Sequence, residues 1–354
     1  MSSTAMYFEE IRHGGCCAYF VGCERARVAA IVDPELHEID RYLGVAASRG
    51  FRIAHLIDTH THADHFSAVR ELAARLGAPA VMHARAPAPY VDVRVADGET
   101  LIVGELRLRV LYTPGHTADS ICIVLADRVL TGDTLLLGGT GRSDLPTGDA
   151  DALWDSLFNR LLRLDDRLLV FPGHNYKNTP TATLAQERET NPRLQKSERD
   201  AFVAQMAGLN LSLPNHLTEA LRTNSTGGKS VDQLIREAAS RIAFMGMEEL
   251  RDRIASGKPG VTVVDVREAE AFALEHIPGA IHLPRGQLEL RADTAFPDPR
   301  TRMVVCCEIG RVSTLAAATL RQMGFTGAVA LDGGIRAWKE AGHPLESGKP
   351  AART

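Results

Sequence analysis

No stretch of this sequence approaches the roughly 18 continuous apolar residues of a membrane-spanning helix, and none of its cysteines stands in a CxxC pair. The first absence argues against a membrane protein. The second, with only six cysteines (Cys16, Cys17, Cys23, Cys122, Cys306 and Cys307) in 354 residues, argues against a disulfide scaffold and for reduced thiols. Basic excess is missing too: the net charge is −4 with Lys and Arg spread along the chain, so no stripe is available for a nucleic-acid backbone. The segment from Met1 to Arg12 has no apolar h-region and carries Glu9, Glu10 and Arg12, so no secretory signal is expected and a cytoplasmic location is. What is present, 45% hydrophobic residues over this length, suffices for two domains with separate cores.

The densest chemistry lies in Thr59-His60-Thr61-His62-Ala63-Asp64-His65, directly after the apolar run Ile53-Ala54-His55-Leu56-Ile57. Neutral imidazole and carboxylate are ligands for first-row transition metals. Three further motifs, Thr113-Pro114-Gly115-His116, Thr131-Gly132-Asp133-Thr134 and Phe171-Pro172-Gly173-His174, each close a short strand-like run. Four strand ends are thus expected to converge on one metal site. This set resembles the metallo-β-lactamase superfamily, and the resemblance implies an αββα sandwich with ligands at strand ends.

Around these motifs the periodicity alternates between strand and helix, the mark of an α/β domain. Paired strands are expected between Tyr7 and Val32, a helix from Leu36 to Arg49 stopped by Gly50, and a second from Phe66 to Leu76 stopped by Gly77. Leu101 to Leu111 and Ile121 to Leu130 read as hairpin strands, with Cys122 as a buried small hydrophobe. Gly138 to Asp144 reads as a flexible loop beside the metal site. Thr183 to Thr190 is predicted helical, and Ser197 is the predicted N-cap of a helix running to Ala207. Cys16 and Cys17 fall in the first hairpin and are assigned no chemistry.

The polar, glycine-containing stretch from Thr223 to Ser230 lacks periodicity and marks the expected boundary, between a first domain of residues 1–225 and a second of residues 240–346. The pattern then restarts, with a helix from Met247 to Ala255, strands at Val261–Val266, Ala280–Leu283, Met303–Cys306 and Ala328–Leu331, and a helix from Leu315 to Met323. Cys307 ends the third strand in a loop entering a helix near Ser313, where backbone N–H groups favour a thiolate. Val264-Asp265-Val266-Arg267-Glu268, His276-Ile277-Pro278-Gly279, the Cys307 loop and Leu331-Asp332-Gly333-Gly334 resemble the rhodanese family. The resemblance implies that Cys307 carries a persulfide sulfur, with Arg311 and Asp265 as its companions. Loops of this kind usually read CxxGxR followed by Ser. Here Arg311 stands one position early, Val312 takes its usual place, and Glu308 adds a negative charge, which implies weak use of thiosulfate.

Within the superfamily, Gly141-Arg142-Ser143-Asp144, His174-Asn175-Tyr176 and Glu187-Arg188-Glu189-Thr190-Asn191-Pro192 are similar to persulfide dioxygenases of the ethylmalonic-encephalopathy protein family. That resemblance implies one Fe(II) per chain, held by His60, His116 and Asp133, with His62, Asp64, His65 and His174 around these ligands. It also implies that Arg142 and Tyr176 contact glutathione, and adjacency adds Lys177. The implied reaction oxidises glutathione persulfide with O2 to sulfite and glutathione, coupled to sulfane-sulfur transfer at Cys307 with thiosulfate or sulfite as further small-molecule partners. The alternative is a glyoxalase II-type thioester hydrolase that binds two zinc ions through all seven ligands, with the second domain as a binding or sulfur-relay module. No nucleic acid and no membrane is expected as partner. The oligomeric state stays open, a homodimer being one option.

Overall fold

The structure is a computed structural model and describes residues 6–214, 216–257 and 260–348. The chain divides into two compact units that meet between Gly228 and Lys229.

In the first unit, strands β1 (Met6–His13), β2 (Cys16–Cys23), β3 (Val28–Val32), β4 (Arg52–Ile57), β5 (Ala80–His83) and β6 (Val93–Val95) form one sheet in sequential order. A second sheet has the order β13-β10-β9-β8-β7, from β7 (Thr100–Val103), β8 (Leu106–Tyr112), β9 (Ile121–Val124), β10 (Arg128–Gly132) and β13 (Leu169–Pro172). A small hairpin of β11 (Leu135–Leu136) and β12 (Gly139–Thr140) adjoins it, so the expected flexible loop is partly ordered by strand pairing.

Side-chain alternation explains the layering. Tyr19 and Val21 of β2 face inward with Val32, Ile57 and Val81, against Leu108, Val110, Ile121 and Ile123 of the second sheet. Phe20 points the other way, joining Ile31 and Leu56 beneath α1 (Ile39–Arg49) and α2 (Val69–Leu76). On the outer face of the second sheet, Cys122, Val129 and Val170 pack under α3 (Ala150–Asp155), α4 (Leu184–Thr190) and α5 (Arg199–Ala207). The result is an αββα sandwich. Burial pushes the Cys122 thiol up to about 11, as befits a small core hydrophobe.

Several expected boundaries move. The second helix begins at Val69 rather than Phe66, and α5 is preceded by Glu198, not Ser197, as its N-cap. The stretch from Thr223 to Ser230 is no open linker. Its first half completes α6 (Leu217–Thr226), ended by Gly227 at φ 70°, and Ser230 caps α7 (Val231–Ala239) with its hydroxyl on the Gln233 N–H.

In the second unit, α7 packs against α11 (Arg311–Gln322). A parallel sheet runs in the order β14-β18-β17-β15-β16, from β14 (Phe244–Met245), β15 (Thr262–Asp265), β16 (Ile281–His282), β17 (Met303–Cys306) and β18 (Ala328–Leu331). One face holds Val264, Val305 and Cys307 beneath α10 (Leu288–Ala295) and α11. The other holds Val263, Val304 and Cys306 with Leu250 of α8 (Met247–Ala255) and Ile335 and Trp338 of α12 (Gly334–Glu340); α9 (Ala269–Leu274) buries Phe272. Adjacent Cys306 and Cys307 thus serve opposite faces. Among the described residues, no helix is long and apolar enough to cross a membrane.

Candidate active sites

His60, His116 and Asp133 arrive from three strand ends, after β4, β8 and β10, and their ligand atoms lie within 4.8 Å of one another. Each imidazole is aimed by its other nitrogen. His116 Nδ1 donates to the Arg142 carbonyl at 2.7 Å, which leaves Nε2 facing Asp133 at 3.6 Å. His60 Nδ1 sits 2.9 Å from the Thr59 hydroxyl, which itself donates to Asp33 at 2.8 Å, so the imidazole N–H donates to that hydroxyl. His60 Nε2 is left buried with no hydrogen-bond partner. Burial, reinforced by His62 and His116, holds the pKa of His60 well below the usual histidine value, keeping it a neutral base. Glycines let the backbone crowd these groups. A Cβ at Gly173 would meet Asp133 Oδ1 at 2.7 Å, and one at Gly141 would meet the Asp133 carbonyl at 1.9 Å.

The other expected residues separate into two groups. His62 lies with Asp33 and Asp58, at 3.2 and 3.5 Å from their carboxylates. Burial opposes its charge, but these two carboxylates outweigh that and hold its pKa well above the usual value. Asp64, His65 and His174 gather instead with Cys16. His174 donates from Nδ1 to Asp133 at 2.7 Å and from Nε2 to Asp64 at 2.6 Å. Burial pushes the Cys16 thiol up, but His174 and His65 more than offset it and bring it down to about 7.

Of the expected glutathione contacts, Tyr176 is 70% exposed and stacks on the His174 ring at 5.1 Å, with Lys177 exposed beside it. Arg142 differs. Its guanidinium is paired with Asp144 at 2.6 and 2.8 Å and donates to the Ser212 carbonyl, while its own carbonyl orients His116. Glu187 and Asn191, both buried, pin the neighbouring hairpin by accepting from the Gly138 N–H and donating to the Gly139 carbonyl at 2.9 Å each.

Two residues that matter here carried no signal in the sequence. Cys16 was placed in a plain hairpin. Asn224 lay in the supposed linker, yet its amide donates to the carbonyls of His62 and His65 at 2.9 and 2.8 Å and clamps the histidine-rich loop. The Asn-Ser-Thr-Gly-Gly composition masked a buried polar clamp at the end of a helix.

In the second unit Cys307 is 2% exposed, and its Sγ accepts from the Ser313 N–H at 3.2 Å inside the first turn of α11, which starts at Arg311. The Gly333-Gly334 turn presses against this loop: a Cβ at Gly334 would meet the Cys307 carbonyl at 2.6 Å, and the Ile335 N–H donates to that oxygen. Asp265 is fully buried and holds Arg267, whose Nη1 reaches Glu308 at 3.1 Å. Asp265 therefore anchors the loop through Arg267. Arg311 is half exposed and paired with Asp232 of α7. Cys306 is wholly buried, and burial raises its thiol pKa well above the usual value.

The layering and the strand-end histidines define a metallo-β-lactamase fold, and the family model for the metallo-beta-lactamase superfamily matches residues 18–174; that for the rhodanese-like domain matches residues 246–341. The mitochondrial persulfide dioxygenase ETHE1 of Homo sapiens is 32% identical over 212 residues, 59% of this chain and 83% of the relative. The crystal structure of ETHE1 from Myxococcus xanthus is 39% identical, with a TM-score of 0.61 over 63% of this chain and 100% of that one. A hydroxyacylglutathione hydrolase of Rhodospirillum rubrum is 34% identical over 58% of this chain and 80% of its own length. The chain belongs to the persulfide dioxygenase family of that superfamily, joined to a rhodanese-like domain.

Proposed function

We propose that the first unit oxidises glutathione persulfide with O2 and water to glutathione and sulfite, and that the second carries sulfane sulfur on Cys307. The observation that carries this reading is the convergence of two imidazoles and one carboxylate, His60, His116 and Asp133, with His60 Nε2 buried and unpaired. A polar atom in that condition is costly unless a cation completes it. These three residues would hold one Fe(II), because two histidines and a carboxylate on one face are the donor set of non-haem iron oxygenases. Bound there, iron supplies the O2 chemistry that redox-inert zinc lacks.

The remaining steps fall to the chain. Tyr176, exposed over His174, and Lys177 beside it offer a surface for the glutathione moiety, and Arg142 joins them from its Asp144 pair. His174 holds Asp133 in orientation from Nδ1 and donates to Asp64 from Nε2 at 2.6 Å. In the second unit, the Cys307 sulfur attacks the outer sulfur of a persulfide or thiosulfate and releases the thiol or sulfite, and a thiophilic acceptor such as a second thiol or sulfite then takes that sulfur and frees the cysteine; the Ser313 N–H donates to Cys307 Sγ at 3.2 Å. Six unpaired cysteines support a cytoplasmic location.

A second reading is favoured by one observation: Asp64, His65 and His174 also converge, as a two-zinc thioester hydrolase similar to the Rhodospirillum relative would require. Protein purified without air should contain about one iron per chain and consume O2 with glutathione persulfide. Two zinc ions per chain, rapid S-lactoylglutathione hydrolysis and no O2 uptake would decide for the hydrolase.

A further inference from the structure

Asp119 is 3% exposed, and its carboxylate accepts two hydroxyl hydrogen bonds, from Thr61 Oγ1 to Oδ2 at 2.7 Å and from Thr117 Oγ1 to Oδ1 at 2.6 Å. Thr61 follows His60 in the chain, and Thr117 follows His116. One buried side chain thus joins, oxygen by oxygen, the two loops that deliver the imidazoles of the triad. Both threonines are buried with it.

The other ties of these loops are of a different kind. The loop after β8 is closed on itself: the Thr113 N–H donates to the Ser120 carbonyl at 2.9 Å, the Gly115 N–H to the Thr117 carbonyl at 3.1 Å and the Thr117 N–H to the Ser120 hydroxyl at 3.1 Å. The loop after β4 is fixed at its start by Asp33, through Thr59, and at its end by Asn224. Those bonds hold each loop to its own surroundings. Between the two loops, the hydrogen bonds among the described residues are one backbone bond at the base, from the Ile121 N–H to the Thr59 carbonyl at 2.8 Å, and the Asp119 bridge further out. A single bond at the base leaves the angle between the loops free, and a second tie fixes it.

The choice of a carboxylate is informative. Burying one is costly, and the other acids near the triad meet a histidine: Asp33 lies 3.2 Å from His62 and Asp133 lies 2.7 Å from His174. Asp119 has, among the described residues, no basic partner within 4.0 Å. What it offers is two strong acceptors in one rigid plane, which hold two hydroxyls at a set separation. The imidazoles beyond them meet edge to face, with ring centroids 4.9 Å apart and planes at 83°. Donors of a reaction centre need placement to within about 0.5 Å.

We infer that Asp119 is a positioning residue of the metal centre: through Thr61 and Thr117 its carboxylate sets His60 relative to His116, and with them the coordination geometry of the cation they hold. This deepens, and rests on, the reading of His60, His116 and Asp133 as that centre.

The test is the visible absorption of the metal-free, full-length chain after one equivalent of Co2+ is added without air, scaled to the cobalt bound. Cobalt d–d bands follow the arrangement of the donors, so a carboxylate that served stability alone would lower the denaturant midpoint and leave the bands in place. Asp119→Ala should shift the bands and weaken Co2+ binding by about 10-fold, the lower end of what an outer partner of a metal ligand costs. Thr61→Val removes one hydroxyl of the bridge and keeps the carboxylate; it should shift the bands in the same direction, and Thr61→Ser, which restores the hydroxyl, should return them. Asp119→Asn keeps one acceptor and should fall between native and Asp119→Ala. Adding Thr61→Val to Asp119→Ala should shift the bands no further, since both cut the same bridge. The Thr61 pair carries the comparison even where Asp119→Ala is too unstable to isolate. Native bands in Thr61→Val or in Asp119→Ala overturn the inference. Asp133→Ala separates this from the reading beneath it: native bands there overturn the assignment of the centre itself, and the inference with it.

Discussion

His174 Nδ1 donates to Oδ1 of Asp133 at 2.7 Å, so a histidine that closes one strand fixes the carboxylate that closes its neighbour. β10 and β13 are parallel and adjacent, which brings the residues beyond their C-terminal ends together. The pair also sets the electrostatics. Burial pushes the Asp133 carboxyl up, but His174, His116 and His60 outweigh it and hold its pKa below the usual carboxylate range.

Asp133→Ala should lose iron and persulfide-dependent O2 uptake together, because it removes a ligand and its charge. His174→Ala should retain much of its iron and lose roughly 10- to 100-fold in metal affinity or activity, the cost of an outer partner. Metal analysis of both variants checks this. Equal metal loss in the two would make His174 a ligand of the same ion.

Asn224→Ala should leave the His62 and His65 carbonyls unpaired in a buried place. Each such group costs about 1–3 kcal/mol. Denaturant unfolding should show that loss in the first unit, and iron occupancy should fall although no ligand has been touched. Unchanged occupancy and stability would mean that water replaces the amide and the loop holds its own shape.

The contrast between His174 and Asn224 shows what could be read from the sequence. His60, His116, Asp133 and His174 each follow an apolar run, and a strand's end is visible as the place where alternation stops, so their convergence was legible. Asn224 sits in a helix whose last turn, Thr223-Asn224-Ser225-Thr226, is wholly polar, and it is buried against the carbonyls of a polar loop rather than in an apolar core. Periodicity detects burial against hydrophobic neighbours and is blind to that kind. Cys16 was hidden for another reason: its partners lie 48, 49 and 158 positions away, and it takes both the β2-β3-β4 sheet order and the bridge from Cys16 to His174 to join them. In the second unit, the β17 strand and Cys307 were readable from Met303-Val304-Val305-Cys306. Arg311's pairing with Asp232 was not, since α7 had been read as part of the gap between domains.

Cys307→Ser should abolish sulfur transfer and leave O2 uptake by the first unit largely intact. A serine hydroxyl does not ionise at neutral pH, and the thiol lies in a separate compact unit with its own core. Cys306→Ser should be the milder change for transfer, because Cys306 faces the opposite side of the sheet. It places a hydroxyl in an apolar layer, so its effect should be on stability. Parallel assays of sulfur transfer and O2 consumption separate these outcomes. An essential Cys306 with a dispensable Cys307 would reverse the assignment.

Val312→Arg should raise kcat/KM for thiosulfate more than for glutathione persulfide. Val312 is 43% exposed in the first turn of α11, where a guanidinium could reach a dianion beside the Cys307 loop. A charge-assisted, bidentate pair there is worth roughly 1.5–3 kcal/mol, on the order of 10- to 100-fold. Two ion pairs shape the native loop. Glu308 is held by Arg267 at 3.1 Å, so its opposition to an anionic donor is already partly cancelled, and Glu308→Ala should help thiosulfate less than Val312→Arg does. Arg311 is engaged by Asp232, so Asp232→Asn should release it toward the loop. Both partners of that pair are about half exposed, and such pairs contribute only about 0.2–1 kcal/mol, so the gain should stay within a few-fold. Steady-state rates with both donors for the native chain and the three variants provide the check. Efficient native turnover of thiosulfate that falls in Val312→Arg and in Asp232→Asn would show that Arg311 serves the donor from its shifted position with Asp232 holding it there. The loop would then be a working variant of the sulfurtransferase site.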